Sequence, residues 1–172
     1  RLPYAAPHGV YRCQGDDRWC AIAVFTDDEW NAFCDAIGNP PWTAEERFAT
    51  LLRRKENEDE LDKLVEEWTK EKTAEEVMKL LQRKGVAAGV VETVEDLMVF
   101  DEQVQARNYF ITMDHPQGEM VCENITIKFS DTPGKVRRAG PTMGQDNEYV
   151  YKEILGMSEE EINQCYVDGV FD

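Results

Sequence analysis

The 172-residue sequence is short of positive charge, of histidine and of long apolar runs, and each shortage removes a class of function. Nineteen Lys and Arg stand against 35 Asp and Glu, a formal net charge of -16, with the acids spread along helical stretches and not gathered in a tail. Such a surface repels phosphate backbones and anionic headgroups, so we expect no nucleic-acid and no membrane partner. No window approaches the ~18 uninterrupted apolar residues of a membrane span, and the N-terminus has no signal-like apolar core. Only two histidines are present, His8 and His115, and no C-x-x-C pair occurs, so there is no metal signature. Five cysteines, at positions 13, 20, 34, 122 and 165, are an odd number, which suits reduced thiols in the cytoplasm better than a disulfide framework. Methionine is missing from the first position, where Arg1 stands; we expect a fragment, or a processed or trimmed product. There is no internal repeat and no low-complexity tract.

What is present is a chain of one-domain length, 42% hydrophobic, with an α+β pattern. The plainest stretch runs from Thr73 to Leu97. Thr73 and Glu76 form a capping box; Val77, Leu80 and Leu81 make an apolar face; Gly85 suits a left-handed helix end. Val86 to Val91 is short and apolar, as a strand buried on both faces would be, and Thr93 with Asp96 offers another helix start. Upstream, Val10 to Cys13 and Arg18 to Phe25 make a hairpin around Gly15-Asp16-Asp17, and the second arm, apolar on both faces, belongs inside a sheet. Thr26 and Glu29 open a helix with Trp30, Phe33, Cys34 and Ile37 inward, ended by Gly38; Asn39-Pro40-Pro41 forces an extended turn. Thr43 to Leu52 begins with a possible cap and has Phe48, Leu51 and Leu52 as its apolar face. In the charged helix that follows, Leu61, Leu64, Val65 and Trp68 are the only buried candidates, and the charge reads as a solvated face.

Downstream, Val94 to Phe100 and Asp101 to Arg107 read as short helical turns. Tyr109 to Met113, Met120 to Cys122 and Asn124 to Phe129 read as a meander broken at His115-Pro116-Gln117-Gly118. Asp131-Thr132-Pro133-Gly134 is a turn and Lys135 to Met143 an extended connector. Asn147 to Leu155 is predicted to be a helix with Val150, Ile154 and Leu155 inward, and Ser158 with Glu161 opens a last helix to about Val167. The expected fold is a small antiparallel or mixed sheet with helices packed on it, plus two carboxyl-terminal helices. We expect residues 1–135 to hold the α+β part and residues 136–172 the connector and terminal helices.

Several segments, in order and covering nearly the whole chain, resemble the carboxyl-terminal part of the class III coenzyme A transferases. These are PHGVYRCQGDDRWCAIAVFTDDEW (7–30), LLQRKGVAAGVV (80–91), DEQVQARNYF (101–110), DHPQGE (114–119) and FSDTPGKVRRAGPTMGQDNEYVYKEILGMSEEEI (129–162). That family includes formyl- and carnitine-coenzyme A transferases and α-methylacyl-coenzyme A racemases. Three departures stand out. Ala87 and Val90 replace prolines usual in the family, Asp146 stands where many members have histidine, and the larger Rossmann-like domain, which carries the nucleophilic aspartate and most coenzyme A contacts, is absent.

The resemblance implies transfer through a mixed anhydride, in which a carboxylate attacks an acyl-coenzyme A thioester and the freed thiolate is re-esterified onto an acceptor acid. No residue of this chain is marked as that nucleophile, so it is expected to be inactive alone, with no tightly bound cofactor and coenzyme A thioester as substrate of the parent enzyme. The segment Leu2 to Gly9 occupies the place of a glycine-rich loop that closes over the active site in some members. Tyr4 and His8, with Gly9 beside them, are therefore the substrate-adjacent candidates; the plain alternative is a surface histidine and a tyrosine that simply packs. His115 reads as a turn residue and Cys13, Cys20 and Cys34 as small core residues. Lys135, Arg137 and Arg138 form the one basic cluster, suited to neutralising nearby carboxylates. The family interlocks as homodimers, so the terminal helices are expected to show an apolar stripe that is either covered by a second copy or exposed. The racemase branch and a stand-alone interaction domain are the alternative functions.

Overall fold

Three strands, β1 (His8–Arg12), β2 (Trp19–Ala23) and β3 (Ala87–Val91), make the main sheet of the computed structural model, which describes residues 1–171. β2 lies in the middle and runs antiparallel to both neighbours, pairing Ala21 with Val10 on one side and with Gly89 on the other. Because side chains alternate across a strand, Tyr11, Cys20 and Ile22 point to one face and are buried, while His8, Val10, Ala21, Ala23, Ala87 and Gly89 point to the other.

Helices cover the first face. α1 (Asp27–Ala36) starts at a Thr26–Glu29 capping box and buries Trp30, Phe33 and Cys34. α2 (Leu51–Glu56) is capped by Thr50, and α3 (Glu58–Thr69) buries Leu61 and Val65. α4 (Ala74–Gln82) starts at the Thr73–Glu76 capping box and buries Ala74, Val77 and Leu81, one stripe at spacings of three and four. α4 packs on β2 and β3, α3 on β1, and α1 on α4. Phe33, fully buried between the rings of Trp30 (5.7 Å) and Trp68 (6.5 Å), contributes about 1.5–3 kcal/mol by burial alone. Gly85 ends α4 with φ +81°, a value that costs a side chain roughly 1–2 kcal/mol, and the chain turns there into β3. The side-chain amide of Gln82 then donates to the Ala88 carbonyl at 2.8 Å.

Contacts divide the chain into two compact units, Arg1–Thr93 and one from Val94 onward. The second contains a five-residue π-type turn (Asp96–Phe100), α5 (Glu102–Ala106) capped by Asp101, and a hairpin of β4 (Phe110–Met113) and β5 (Met120–Glu123). It ends with a second π-type turn (Tyr149–Ile154) and α6 (Glu159–Val167), which opens on the Ser158–Glu161 capping box.

Several expectations are corrected. β3 is not buried on both faces: among the described residues it pairs only with β2, and Ala87 and Val91 at its ends are exposed, because the sheet is antiparallel and the helices of the first unit pack on its other face. Thr43 to Leu52 is not one helix; it is two 3-10 turns (Pro41–Ala44 and Glu46–Phe48) followed by α2, with Thr43 hydroxyl bonded to the Pro40 carbonyl and Leu52 exposed. Asn124 to Phe129 is not a third meander strand: Asn124 uses its own side chain to accept from the Ile125 N–H, which favours a turn over a ladder. The apolar residues of 147–155 do not point inward. Ile154 and Leu155 are 62% and 61% exposed, because a π-type turn forms there and, among the described residues from 94 on, only Asp96 and Ala139 are buried.

Candidate functional site

The sheet face opposite the helices of the first unit forms a hollow because its central residues are small. Ala21 and Ala23 on β2, Ala87 and Gly89 on β3, and His8 and Val10 on β1 line a groove of about 420 Å³. A Cβ placed on Gly89 would meet nothing within 4 Å, so that position opens directly into free space. A further hollow of about 440 Å³ shares Val10 and continues toward Trp19 and Val91.

Aromatic side chains stand at one end. Phe25, two residues past β2, receives the Tyr4 ring stacked at 6.5 Å between centroids and 27° between planes, and the His8 ring edge-on at 5.8 Å. Tyr4 is 58% exposed. The structure thus brings Tyr4 and His8 together around Phe25, which sequence reasoning placed only as a strand residue. Gly9 lends backbone to the groove, and a Cβ on it would come within 3.3 Å of the Tyr11 ring on the opposite face. Tyr11 in turn donates its hydroxyl to Asp62 at 2.8 Å, and burial, helped by that carboxylate, pushes its phenol far up from the usual value.

The segment carrying Tyr4 is tied down by backbone and cations. Ala6 N–H donates to Val24 C=O and Val24 N–H to Pro7 C=O, extending the strand pairing past His8. The fully buried Arg54 donates to Ala6 C=O (3.0 Å), Phe48 C=O (3.2 Å) and Asp27 Oδ1 (2.8 Å), with its guanidinium 4.7 Å from the Trp30 ring centre. Lys55 donates to Leu2 C=O at 2.7 Å and pairs with Glu58 at 2.6 Å. The sequence held a signal for this: Arg54 and Glu58 fall on the i, i+4, i+7, i+11 stripe of Leu61 and Val65, and all four are buried.

The remaining candidates are structural. Burial pushes the Cys20 thiol up to about 12 and the Cys34 thiol up to about 11, and also raises Cys13, the opposite of what a nucleophile needs. His115 accepts the Gln117 N–H in its turn. Arg138 grips Asp146 with two bonds of 2.7 and 2.6 Å, and this pairing lowers the Asp146 carboxyl, so Asp146 serves as the partner of a basic residue. Among the described residues no group of three or more His, Cys, Asp or Glu is placed to hold a metal, and no helix is long and apolar enough to cross a membrane.

The model of CoA-transferase family III matches residues 1–147. A probable CoA-transferase of Mycobacterium tuberculosis is 34% identical over 98% of this chain, and succinyl-CoA–D-citramalate CoA-transferase of Chloroflexus aurantiacus is 33% identical over 94%. The chain spans 21% and 40% of those relatives' lengths. The crystal structure of a CaiB/BaiF family protein from Brucella suis matches with a TM-score of 0.72 and 28% identity, over 89% of this chain and 39% of that one. The segments shared with class III transferases therefore reflect descent and not ordinary turn chemistry: this chain belongs to CoA-transferase family III.

Proposed function

We propose that the chain is the carboxyl-terminal part of a class III acyl-CoA:carboxylate CoA-transferase, in which the Ala21–Gly89 groove and its aromatic head form one wall of the acyl pocket. The observation that carries this is the groove itself: an apolar hollow on the sheet face opposite the helices of the first unit, headed by Tyr4 and His8, in a chain that spans only part of its relatives. The reacting carboxylate belongs to the part of the parent that this chain does not include. It attacks the thioester carbonyl and coenzyme A leaves as thiolate; the acceptor acid then replaces the donor in the anhydride, the donor leaving as its free carboxylate, and the thiolate attacks the acceptor carbonyl, forming the new thioester and freeing the enzyme carboxylate. Tyr4 and His8 then border the acyl group, and the groove excludes water from an intermediate that water would hydrolyse. Coenzyme A thioester is substrate, and no tightly bound cofactor is needed.

The exposed Ile154, Leu155 and Val167 support a homodimer in which residues 136–172 leave the small domain, residues 1–135, and dock on the large domain. Five free cysteines fit a cytoplasmic protein. In the full-length enzyme, Gly89→Leu fills the groove and is expected to lower kcat/KM about tenfold for long acyl donors and less for short ones, the size of effect a few methylenes produce. Ala21→Val serves as a second, smaller filling. Unchanged kcat/KM for every donor in both folded variants would overturn the groove assignment, and succinyl transfer by the 172-residue chain alone would overturn its inactivity.

A further inference from the structure

Arg54 and Lys55 are adjacent on α2, yet they hold the two ends of one short segment: Lys55 the carbonyl of Leu2 and Arg54 the carbonyl of Ala6. Pro3, Tyr4 and Ala5 lie between. Neither cation is free to swing. Arg54 is fixed by Phe48, Asp27 and the Trp30 ring, and Lys55 by Glu58, whose side chain is 7% exposed. The Tyr4 stack on Phe25, at 6.5 Å, lies near the long end of the ~4.5–7 Å range for useful ring pairs, so that contact alone holds the ring weakly. Its place depends on the backbone anchors.

We propose that Arg54 and Lys55 are positioning residues that hold the Leu2–Ala6 segment by its ends and so set the Tyr4 ring against Phe25 at the head of the groove. A guanidinium suits the Ala6 end because its planar fork serves three fixed acceptors at once, whereas the ammonium of Lys55 serves one carbonyl and one carboxylate. The functional part of this proposal rests on the reading of Tyr4 as substrate-adjacent; the clamp itself does not.

The test is backbone ¹⁵N relaxation on the 172-residue chain. In Lys55→Met the amide order parameters of Tyr4 and Ala5 are expected to fall from the rigid value of about 0.85 to below about 0.6, with Val10 and Cys20 unmoved. Arg54→Lys, which keeps the charge and loses the fork, should loosen Ala5 and Ala6. Order parameters that stay high in both variants, or that fall equally through β1 and β2, would overturn the clamp. In the full-length enzyme with succinyl-CoA as probe, Lys55→Met and Tyr4→Ala should each lower kcat/KM, and the double variant should be no worse than Tyr4→Ala. Losses that simply multiply would show that Lys55 does not act through Tyr4. Relaxation changes without any change in transfer would leave the clamp standing and remove Tyr4 from the site.

Discussion

Replacing Arg54 with methionine tests whether a buried cation holds the first unit together. Methionine keeps most of the aliphatic stem while removing every donor and the guanidinium over the Trp30 ring. Two carbonyls, Ala6 and Phe48, lose their Arg54 donor, at about 1–3 kcal/mol each where no water replaces it. The ring contact with Trp30 adds about 0.5–2 kcal/mol. Asp27, 63% exposed, rehydrates cheaply, and the guanidinium no longer has to be desolvated, which offsets part of the loss. A net destabilisation of about 2–4 kcal/mol follows, a large share of the ~5–15 kcal/mol typical of a domain. All four tryptophans, at 19, 30, 42 and 68, lie in the first unit, so their fluorescence reports on it during urea unfolding. With a slope of about 1–3 kcal/mol per molar urea, the midpoint should fall by roughly 1–3 M. A folded Arg54→Met protein within ~1 kcal/mol of the parent would refute the reasoning, since the carbonyls would then have found other donors.

Thr73→Ala removes half of the capping box at α4 and should cost about 0.5–2 kcal/mol in the same unfolding experiment, with Thr73→Ser restoring most of it. Thiol labelling should separate the cysteines: at pH 8 Cys122 and Cys165, which are partly exposed, react at once, while Cys13, Cys20 and Cys34 react only as the fold opens. Since burial raises Cys20 to about 12 and Cys34 to about 11 from an unfolded value near ~8.5, these thiols favour the fold fully below that value. The contribution is lost as pH rises through the folded values, so unfolding midpoints that rose between pH 9 and pH 11 would count against it. The exposed Ile154 and Leu155 should drive self-association visible by sedimentation, which Ile154→Glu with Leu155→Glu should abolish; a monomeric parent chain throughout the micromolar range would contradict this.

Much of the first unit was legible because its signals are local. Thr26–Glu29 and Thr73–Glu76 each state a helix start within four residues, and both form capping boxes, as Ser158–Glu161 does in the second unit. The two apolar faces of β2 stated its central place in the sheet. What escaped were features set by distant partners. Arg54 looks like one charge among many in RRKEN, and only the arrival of Ala6, Asp27 and Trp30 around it makes it a core residue. In the same way, the apolar content of 147–155 implied an inward face that the described residues do not provide with a core. The candidate site was half visible. The family resemblance pointed to Tyr4 and His8, but Phe25 between them and the groove floor depend on strand register, which a one-residue slip would have inverted.

The Gln82 amide on the Ala88 carbonyl carries a consequence for how this polypeptide behaves in crowded solution. β3, Ala-Ala-Gly-Val-Val, has no charge and no proline, and it is the last strand of its sheet, the arrangement that invites an alien strand to add on and template a fibril. Gln82 occupies one acceptor on that strand, and Arg83 and Lys84 precede it as charged flanks whose repulsion of an added strand salt would weaken.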